Sequence, residues 1–474
     1  MTPFEIILES YTAIVLFYFV ATSVGYAILL AISFYAVRDY VHRSGTIDYL
    51  AILQSELSTP ISIIAPAYNE SATIVQNVHS LLSLHYPTTE VIIVNDGSKD
   101  NTLNLLINEF ALRQSRRAYF PIIPTEEVLG IYRSTKRQWG SLVVIDKVNG
   151  GKADALNAGI NVSRHPLYCA IDADSVLEDD ALLKASRPFM DDPSVVAVGG
   201  IVRIANNCVV ERGRVVEIRL PRKRLPIFQI IEYLRAFLAA RMGWSEINGL
   251  LIISGAFGLF RKDVVIACGG YNRNTVGEDM ELVTRMHHYL LERGLSYRMV
   301  FVPDPVCWTE VPETLWTLGR QRNRWQRGLL DTIILHRRMF LIPRYKQVGM
   351  LGLPFFAQFE VLGPLVEFSG YLIIPLSALL GFLNLKTFIL FFVVAFVYGV
   401  FFSVGAVLLE EISFRRYPRQ ADLIRLLLHA LFENFGYRQL TVWWRVKALW
   451  DYFHGEKGWG AMQRTGFAQG RGST

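Results

Sequence analysis

The sequence predicts an α/β domain on a mostly parallel, Rossmann-like sheet, carried by an α-helical transmembrane region. Three observations predict it. Apolar runs of strand length alternate with segments of helical spacing from Ile61 onward. Polar residues fall where those runs end, and such sheets bind ligands at the carboxyl ends of their strands. Long uncharged apolar stretches stand on both sides of the alternating region.

The first element is apolar. Tyr11 to Val37 holds no charged residue and is long enough to cross a bilayer with some tilt. The residues before it carry Glu5 and Glu9 but no Lys or Arg, unlike a signal peptide. Phe368 to Leu385 and Thr387 to Leu409 are two further uncharged stretches, and the few residues around Asn384 and Lys386 predict a tight helical hairpin. Arg38 and Arg43 follow the first span; Arg415, Arg416 and Arg419 follow the third. Placing both basic clusters in the cytoplasm puts residues 38 to about 346 inside. Val348 to Glu367 is apolar but interrupted by Pro354, Glu360, Pro364 and Glu367, so it is expected to be interfacial or re-entrant.

Between the spans, "ISIIAPAYNE" begins as a strand and is expected to turn at Pro66. "SATIVQNVHSLLSL" has helical spacing, "VIIVNDGSKD" is a buried strand with a turn, and "NTLNLLINEFAL" is helical. "LVVIDK" is a strand, "KADALNAGINVS" a helix, and "LYCAIDADSV" a strand running into a polar turn. The strand ends carry Tyr68 and Glu70, then Asp96, then Asp172 and Asp174.

Composition bounds the rest. The chain has 474 residues, 51% of them hydrophobic, which is high for a soluble enzyme. The net charge of +6 is too mild to choose between a membrane surface and an anionic ligand. Cys169, Cys208, Cys268 and Cys307 show neither a CxxC nor a metal-ligand spacing, so they are expected to be buried, reduced thiols.

The chemistry lies in the polar turns. Asp172 and Asp174 stand at i and i+2 past a buried strand, where two carboxylates can share one hard cation with bound phosphates. Mg²⁺ or Mn²⁺ there would neutralise a departing diphosphate. Alone, such a pair is more often an ordinary acidic turn; its place in an ordered series of strand ends favours function. Asp96, in "VNDGS", is placed to accept hydrogen bonds from a base or ribose, though Asn-Asp-Gly is also a common turn. Lys152 opens a helix after two glycines and is placed to meet phosphate oxygens, without the spacing of a P-loop. Glu278 and Asp279 open the helix of "NTVGEDMELVTRM". They either complement the helix dipole or supply the general base of an inverting group transfer, which needs no covalent nucleophile.

The motifs "PAYNE", "VNDGS", "DAD", "GED" and "QRNRW", in that order, resemble the membrane-bound glycosyltransferase family 2 enzymes. Within these the sequence looks like the processive β-glycosyltransferases: poly-N-acetylglucosamine, hyaluronan, chitin-oligosaccharide and cellulose synthases. "SGAFGLFRK", "GGYNRNTVGEDMEL" and "PETLWTLGRQRNRWQRG" look most like the poly-N-acetylglucosamine type. The resemblance covers roughly residues 58 to 335. It implies the type A glycosyltransferase fold, a UDP-sugar donor, a divalent metal and inversion. It also implies that Pro66, Tyr68, Glu70 and Asp96 hold the nucleotide, with Lys152 nearby. Asp172 would contact nucleotide and metal, Asp174 would bind metal, and Asp279, beside Glu278, would be the base. Gln321 and Trp325 would take the acceptor sugar, and Arg324 would meet the diphosphate. On a helix Arg320, Arg324 and Arg327 share one face, and Gln321, Trp325 and Gly328 a neighbouring one. Arg320, Arg322 and Arg327 also fit a basic helix snorkelling at lipid.

The expected organisation is a transmembrane helix in 1–44, a cytosolic glycosyltransferase domain in 45–340, an interfacial segment and transmembrane hairpin in 341–419, and cytosolic amphipathic helices in 420–474. The insert "NCVVERGRVVEIRLPRKRLP" matches no motif. Ile227, Ile230, Ile231, Leu234, Phe237 and Leu238 form a stripe that fits core packing or an interfacial helix. Trp443, Trp444, Trp450 and Trp459 among Arg438, Arg445 and Lys447 suit an interfacial belt or a helical cap. The expected activity is polymerisation of a β-linked exopolysaccharide from a UDP-sugar, UDP-N-acetylglucosamine favoured, at the inner membrane. The alternatives are a single-sugar transferase acting on a lipid carrier and a non-catalytic membrane subunit. Expected partners are the donor, the growing glycan, the bilayer and an accessory membrane or export subunit, because three spans make a poor closed channel. No nucleic acid is expected.

Overall fold

The computed structural model describes residues 3–455, apart from 46–48, 55–57, 116–118, 212, 383–384 and 418. Asn384 and Trp459 lie outside the described residues. The chain forms two compact units: Met1–Val41 with Lys223–Ile247 and Pro312–Gly460, and His42–Arg222 with Asn248–Val311. Residues 223–247 and 312–340, counted with the 45–340 domain on sequence, therefore pack among the apolar helices.

The second unit is the α/β domain. Its main sheet holds β1 (Ile61–Ala67), β2 (Thr89–Asp96), β3 (Leu112–Gln114), β4 (Val128–Ser134), β5 (Leu142–Lys147), β6 (Leu167–Ile171), β7 (Val176–Leu177) and β8 (Val195–Ile204). A small ribbon follows, β9 (Val209–Glu211) and β10 (Arg214–Glu217), and lies within the basic insert. β11 (Phe257–Arg261) and β12 (Arg298–Thr309) complete the main sheet. The strand order is β3-β4-β5-β2-β1-β6-β11-β8-β12-β7. Strands β5, β2, β1 and β6 run parallel, as do β8 and β12; the remaining pairings are antiparallel. Helices Ile74–Leu82, Thr102–Glu109 and Lys152–Val162 follow β1, β2 and β5. The parallel strands are buried runs of Val and Ile, as a sheet covered on both faces requires; Ile63, Ile64 and Ile92 are wholly enclosed.

β1 does not turn at Pro66. The strand continues to Ala67, and Pro66 lies opposite Val94 of β2. The pairing with β6 covers only Ile61 to Ile64, so Pro66, which has no N–H to donate, stands where one of its two ladders has ended.

The other unit is helical. Among the described residues three helices are long and apolar enough to cross a membrane: Ile6–Ser44, Val348–Leu379 and Leu385–Ser413. The second joins the segment expected to be interfacial to the span expected from Phe368. It passes Pro354 and Pro364 by π-helical turns at Val348–Gly352 and Phe356–Val361. Its two carboxylates are paired: Glu360 with Arg445 at 2.7 Å, and Glu367 with Arg438 at 3.3 Å. Both arginines lie on the Tyr437–Phe453 helix, whose Trp443 and Trp450 stay exposed. The stripe Ile227 to Leu238 is buried in this unit, so it packs as core and not as an interfacial face.

Candidate active site

The α/β unit gathers its polar residues at the carboxyl ends of the parallel strands. β6 ends at Ile171 and delivers Asp172 into a turn. The loop after β5 ends at Gly151, whose φ of +87° suits glycine, and launches the Lys152–Val162 helix. Gly277 precedes the Glu278–Glu292 helix. One strand end and two helix starts bring Lys152, Asp172, Glu278 and Asp279 together.

Lys152 is the hub. Its Nζ lies 2.5 Å from Asp172 Oδ1 and 3.8 Å from Glu278 Oε1, and donates to the Gly255 carbonyl at 3.1 Å. Burial alone would favour the neutral amine, but the carboxylates of Asp172 and Glu278 outweigh it and hold the Lys152 pKa above its ordinary value. Asp279 accepts from the Gly255 amide at 3.0 Å through Oδ2 and from the Met280 amide at 2.8 Å through Oδ1. Gly255 therefore bridges the ammonium and the candidate base with its two backbone groups. A concavity at this point is lined by Lys152, Ser254, Gly255, Tyr271, Glu278 and Asp279 over apolar Leu156, Ile253 and Phe260.

Asp96 is nearby in sequence logic but differently used. Oδ1 accepts from Lys147 Nζ at 2.7 Å and from the Gly150 amide at 3.0 Å; Oδ2 accepts from the Gly151 amide at 2.8 Å and Asn149 Nδ2 at 3.1 Å. Its carboxylate thus shapes the glycine loop that precedes Lys152. Lys147 is fully buried and also meets Asp154 Oδ1 at 2.7 Å, and Asp154 in turn pairs with Arg273 at 2.9 Å. Two buried carboxylates are balanced by two cations, the arrangement that makes such burial tolerable.

Tyr68 and Glu70 lie in the loop after β1. Tyr68 is exposed, while Glu70 is half-buried with its amide bonded to Thr102 Oγ1 at 2.9 Å. The loops after β1 and β2 are stitched together, with the Lys99 amide donating to Asn69 Oδ1 at 2.8 Å and the Ser71 amide to Asp100 Oδ2 at 3.1 Å. Asp174 follows Asp172 in the turn after β6. Hard carboxylate oxygens suit Mg²⁺ or Mn²⁺, and the Lys152 ammonium on Asp172 shows a carboxylate arranged to face positive charge. Among the described residues no group of three or more His, Cys, Asp or Glu forms a metal cage. The donor set thus fits a cation completed by substrate oxygens.

The "QRNRW" stretch lies in the helical unit, on the Leu315–Leu335 helix. Gln321 and Arg324 are half-buried and Trp325 is exposed. Arg322 does not snorkel: it is buried against Glu232 at 2.7 Å, because a carboxylate inside the unit neutralises it. Arg327 is also buried, while Arg320 is half-buried with its guanidinium over the Trp316 ring at 4.6 Å.

The sequence reading missed Lys147, Asp154, Gly255 and Glu232. A lysine closing a buried strand, and a lone acid in an apolar stripe, were the available signals. Gly255 lies within "SGAFGLFRK", which carries the family resemblance, but no side chain marked its own role, since that role rests on backbone groups. The four cysteines are free, with Cys169 and Cys307 buried and the other two half-buried.

Comparison with known proteins gives this geometry a family. Residues 62–119 match the model of glycosyl transferase family 2, and residues 124–328 that of glycosyltransferase-like family 2. The chain belongs to glycosyltransferase family 2. It is 31% identical over 268 residues to the poly-β-1,6-N-acetyl-D-glucosamine synthase of Staphylococcus epidermidis, covering 56% of this chain and 54% of that protein. It is 30% identical over 313 residues to the Staphylococcus aureus synthase of the same name, covering 66% and 64%. The chain thus spans between about half and two thirds of the length of these relatives. Among solved structures, a mannosyltransferase from Pyrobaculum calidifontis in complex with GDP-Man and Mn²⁺ aligns with a TM-score of 0.48 at 18% identity, covering 87% of this chain and 99% of that one. In this family 2 chain both matched segments include candidate site residues: Glu70 and Asp96 in the first, and Lys152, Asp172 and Asp279 in the second.

Proposed function

We propose that this family 2 glycosyltransferase is an inverting enzyme of the bacterial inner membrane that polymerises a β-linked polysaccharide from a UDP-sugar, with UDP-N-acetylglucosamine the favoured donor. The observation that carries the reading is the cluster Lys152–Asp172–Glu278–Asp279, with Gly255 between the ammonium and Asp279. The identity to the two staphylococcal synthases supports the choice of sugar. The three apolar helices among the described residues support a multi-pass protein, and the basic residues Arg38 and Arg43 at the end of the first and Arg415, Arg416 and Arg419 after the third support a cytoplasmic side for the α/β unit.

In this reading Pro66, Tyr68 and Glu70 border the nucleotide, and Asp96 shapes the loop that presents Lys152 to it. Arg324 meets the diphosphate, and Gln321 and Trp325 take the acceptor sugar. Asp172 and Asp174 would hold Mg²⁺ or Mn²⁺, which when bound supplies positive charge to the leaving diphosphate. Asp279 removes the proton of the acceptor hydroxyl as its oxygen forms the new bond to the anomeric carbon. The bond from that carbon to the UDP oxygen breaks on the opposite side, and the bonding pair leaves with UDP. The amides of Gly255 and Met280 hold the Asp279 carboxylate in one orientation for that transfer. Lys152, its charge secured by two carboxylates, faces the oxygens that gain negative charge.

The test supplies UDP-[¹⁴C]N-acetylglucosamine to purified protein and sizes the product. Long products are expected from the wild type. Asp279→Asn is expected to keep UDP affinity while transfer falls about 10²- to 10⁴-fold. Near-normal transfer by that variant sinks the base assignment. Products only one sugar longer than the acceptor point to a single-sugar transferase acting on a lipid carrier.

A further inference from the structure

Trp325 is 43% exposed, yet its ring is braced from within the helical unit. The Arg322 guanidinium lies 4.3 Å from the ring centroid, and Tyr233 approaches at 6.4 Å. The same guanidinium donates to Gln321 Oε1 at 2.8 Å. One buried cation therefore touches both side chains assigned to the acceptor.

Arg322 is itself fixed. It is 4% exposed and donates to Glu232 Oε2 at 2.7 Å. Tyr437 Oη donates to that same oxygen at 2.7 Å, and the Tyr437 ring stacks on Phe228 at 5.0 Å. Burial would raise the Glu232 pKa, but Arg322 and Tyr437 outweigh it and hold it below the ordinary value, so the carboxylate stays charged. The chain of contacts joins three helices: Arg224–Tyr233, Leu315–Leu335 and Tyr437–Phe453. A flexible glutamine and an exposed indole would otherwise sample several rotamers. Hydrogen bonding to a fork-shaped cation removes that freedom for Gln321, and the flat guanidinium supports one face of Trp325.

We propose that Arg322, Glu232 and Tyr437 are positioning residues that hold Gln321 and Trp325 ready for the acceptor sugar, an inference that rests on the acceptor role proposed for those two residues. None of the three need touch the sugar. The Tyr437–Phe453 helix thereby enters acceptor binding through one tyrosine hydroxyl.

The experiment uses the full chain in detergent with UDP-N-acetylglucosamine and a short β-linked N-acetylglucosamine oligomer as acceptor. The variants are Tyr437→Phe, the paired Arg322→Met/Glu232→Gln, and Trp325→Leu as reference. The paired variant removes both charges, so neither remains buried alone. Tyr437→Phe keeps the ring on Phe228 and loses only the hydroxyl. The acceptor KM is expected to rise about tenfold in the paired variant and a few-fold in Tyr437→Phe, with shorter products and unchanged donor KM and Tm. A defect in Trp325→Leu that neither other variant shares overturns the inference alone. A silent Trp325→Leu overturns the acceptor reading and the inference with it. Equal rises in donor and acceptor KM, or a fall in Tm that accounts for the loss, reduce the three residues to structural support and overturn the inference. If the paired variant does not fold, Tyr437→Phe decides by the same readouts.

Discussion

At Gly255 a single missing side chain permits the candidate active-site cluster. A Cβ placed there would lie 2.8 Å from Lys152 Nζ and 3.5 Å from Asp279 Oδ2. The first atom ends a flexible side chain, so Gly255→Ala displaces the ammonium and leaves the fold intact. Lys152 would then leave its 2.5 Å contact with Asp172. Misplacing a charge by about an ångström costs on the order of 10²-fold in rate, and that loss is expected in Gly255→Ala with an unchanged melting curve. Initial-rate assays beside thermal denaturation check it; full activity would show that Lys152 does not need its present position. The motif "SGAFGLFRK" pointed to the family but not to this role, because the glycine acts through its amide, its carbonyl and its lack of bulk.

At the scale of elements, the Glu278–Glu292 helix does more than present Asp279. Its far half carries His287, wholly buried, with Nε2 2.8 Å from the Leu250 carbonyl and Nδ1 2.6 Å from Tyr297 Oη. A carbonyl only accepts, so Nε2 donates and Nδ1 accepts from the tyrosine, which is the neutral imidazole. The helix is thus tied to the segment that leads to Gly255. Burial pushes the His287 pKa down to about 4, against a partial rise from the Leu250 carbonyl. The folded value is lower than the unfolded one, so the stabilisation is present above the unfolded pKa and is lost as pH falls towards 4. This contribution is of the order of 3 kcal/mol at neutral pH. The Tm of the wild type is expected to approach that of His287→Asn as pH drops from about 6.5 to about 4. A gap between the two that stays constant over that window would rule the imidazole out as the titrating group.

At the scale of the whole molecule, the proposed reading gives a cation few protein ligands in the polar turns of the α/β unit. Asp172 and Asp174 follow β6, and no described cluster of three or more ligating side chains exists. A cation completed by substrate oxygens is held weakly without the nucleotide. EDTA is therefore expected to abolish sugar incorporation, and Mg²⁺ or Mn²⁺ to restore it. Asp174→Ala should lose at least about 10²-fold in rate at ordinary metal concentrations. Isothermal titration should show Mn²⁺ binding far more tightly with UDP present than without it. Undiminished incorporation in EDTA would eliminate the metal from this mechanism.

The sequence by itself determined the alternation of strands and helices, the apolar helices, and the acidic residues at the strand ends. These are local properties: side-chain period, run length without charge, and turn residues at the end of an apolar run. Lys152, Asp172 and Asp279 could be picked out as candidates for the same reason, since each stands beside an element boundary. The tertiary structure decided what those residues touch. Pro66 remained in its strand because the neighbouring ladder had already stopped. Asp96 turned inward because Lys147 and the glycine amides surround its carboxylate. Arg322 became a buried cation because Glu232, ninety residues earlier, and Tyr437, on the Tyr437–Phe453 helix, converge on one another. Such partners are far apart in the chain, and a charge is held inside only where folding brings its counter-ion within reach. That pairing is a property of packing, and no local pattern encodes it.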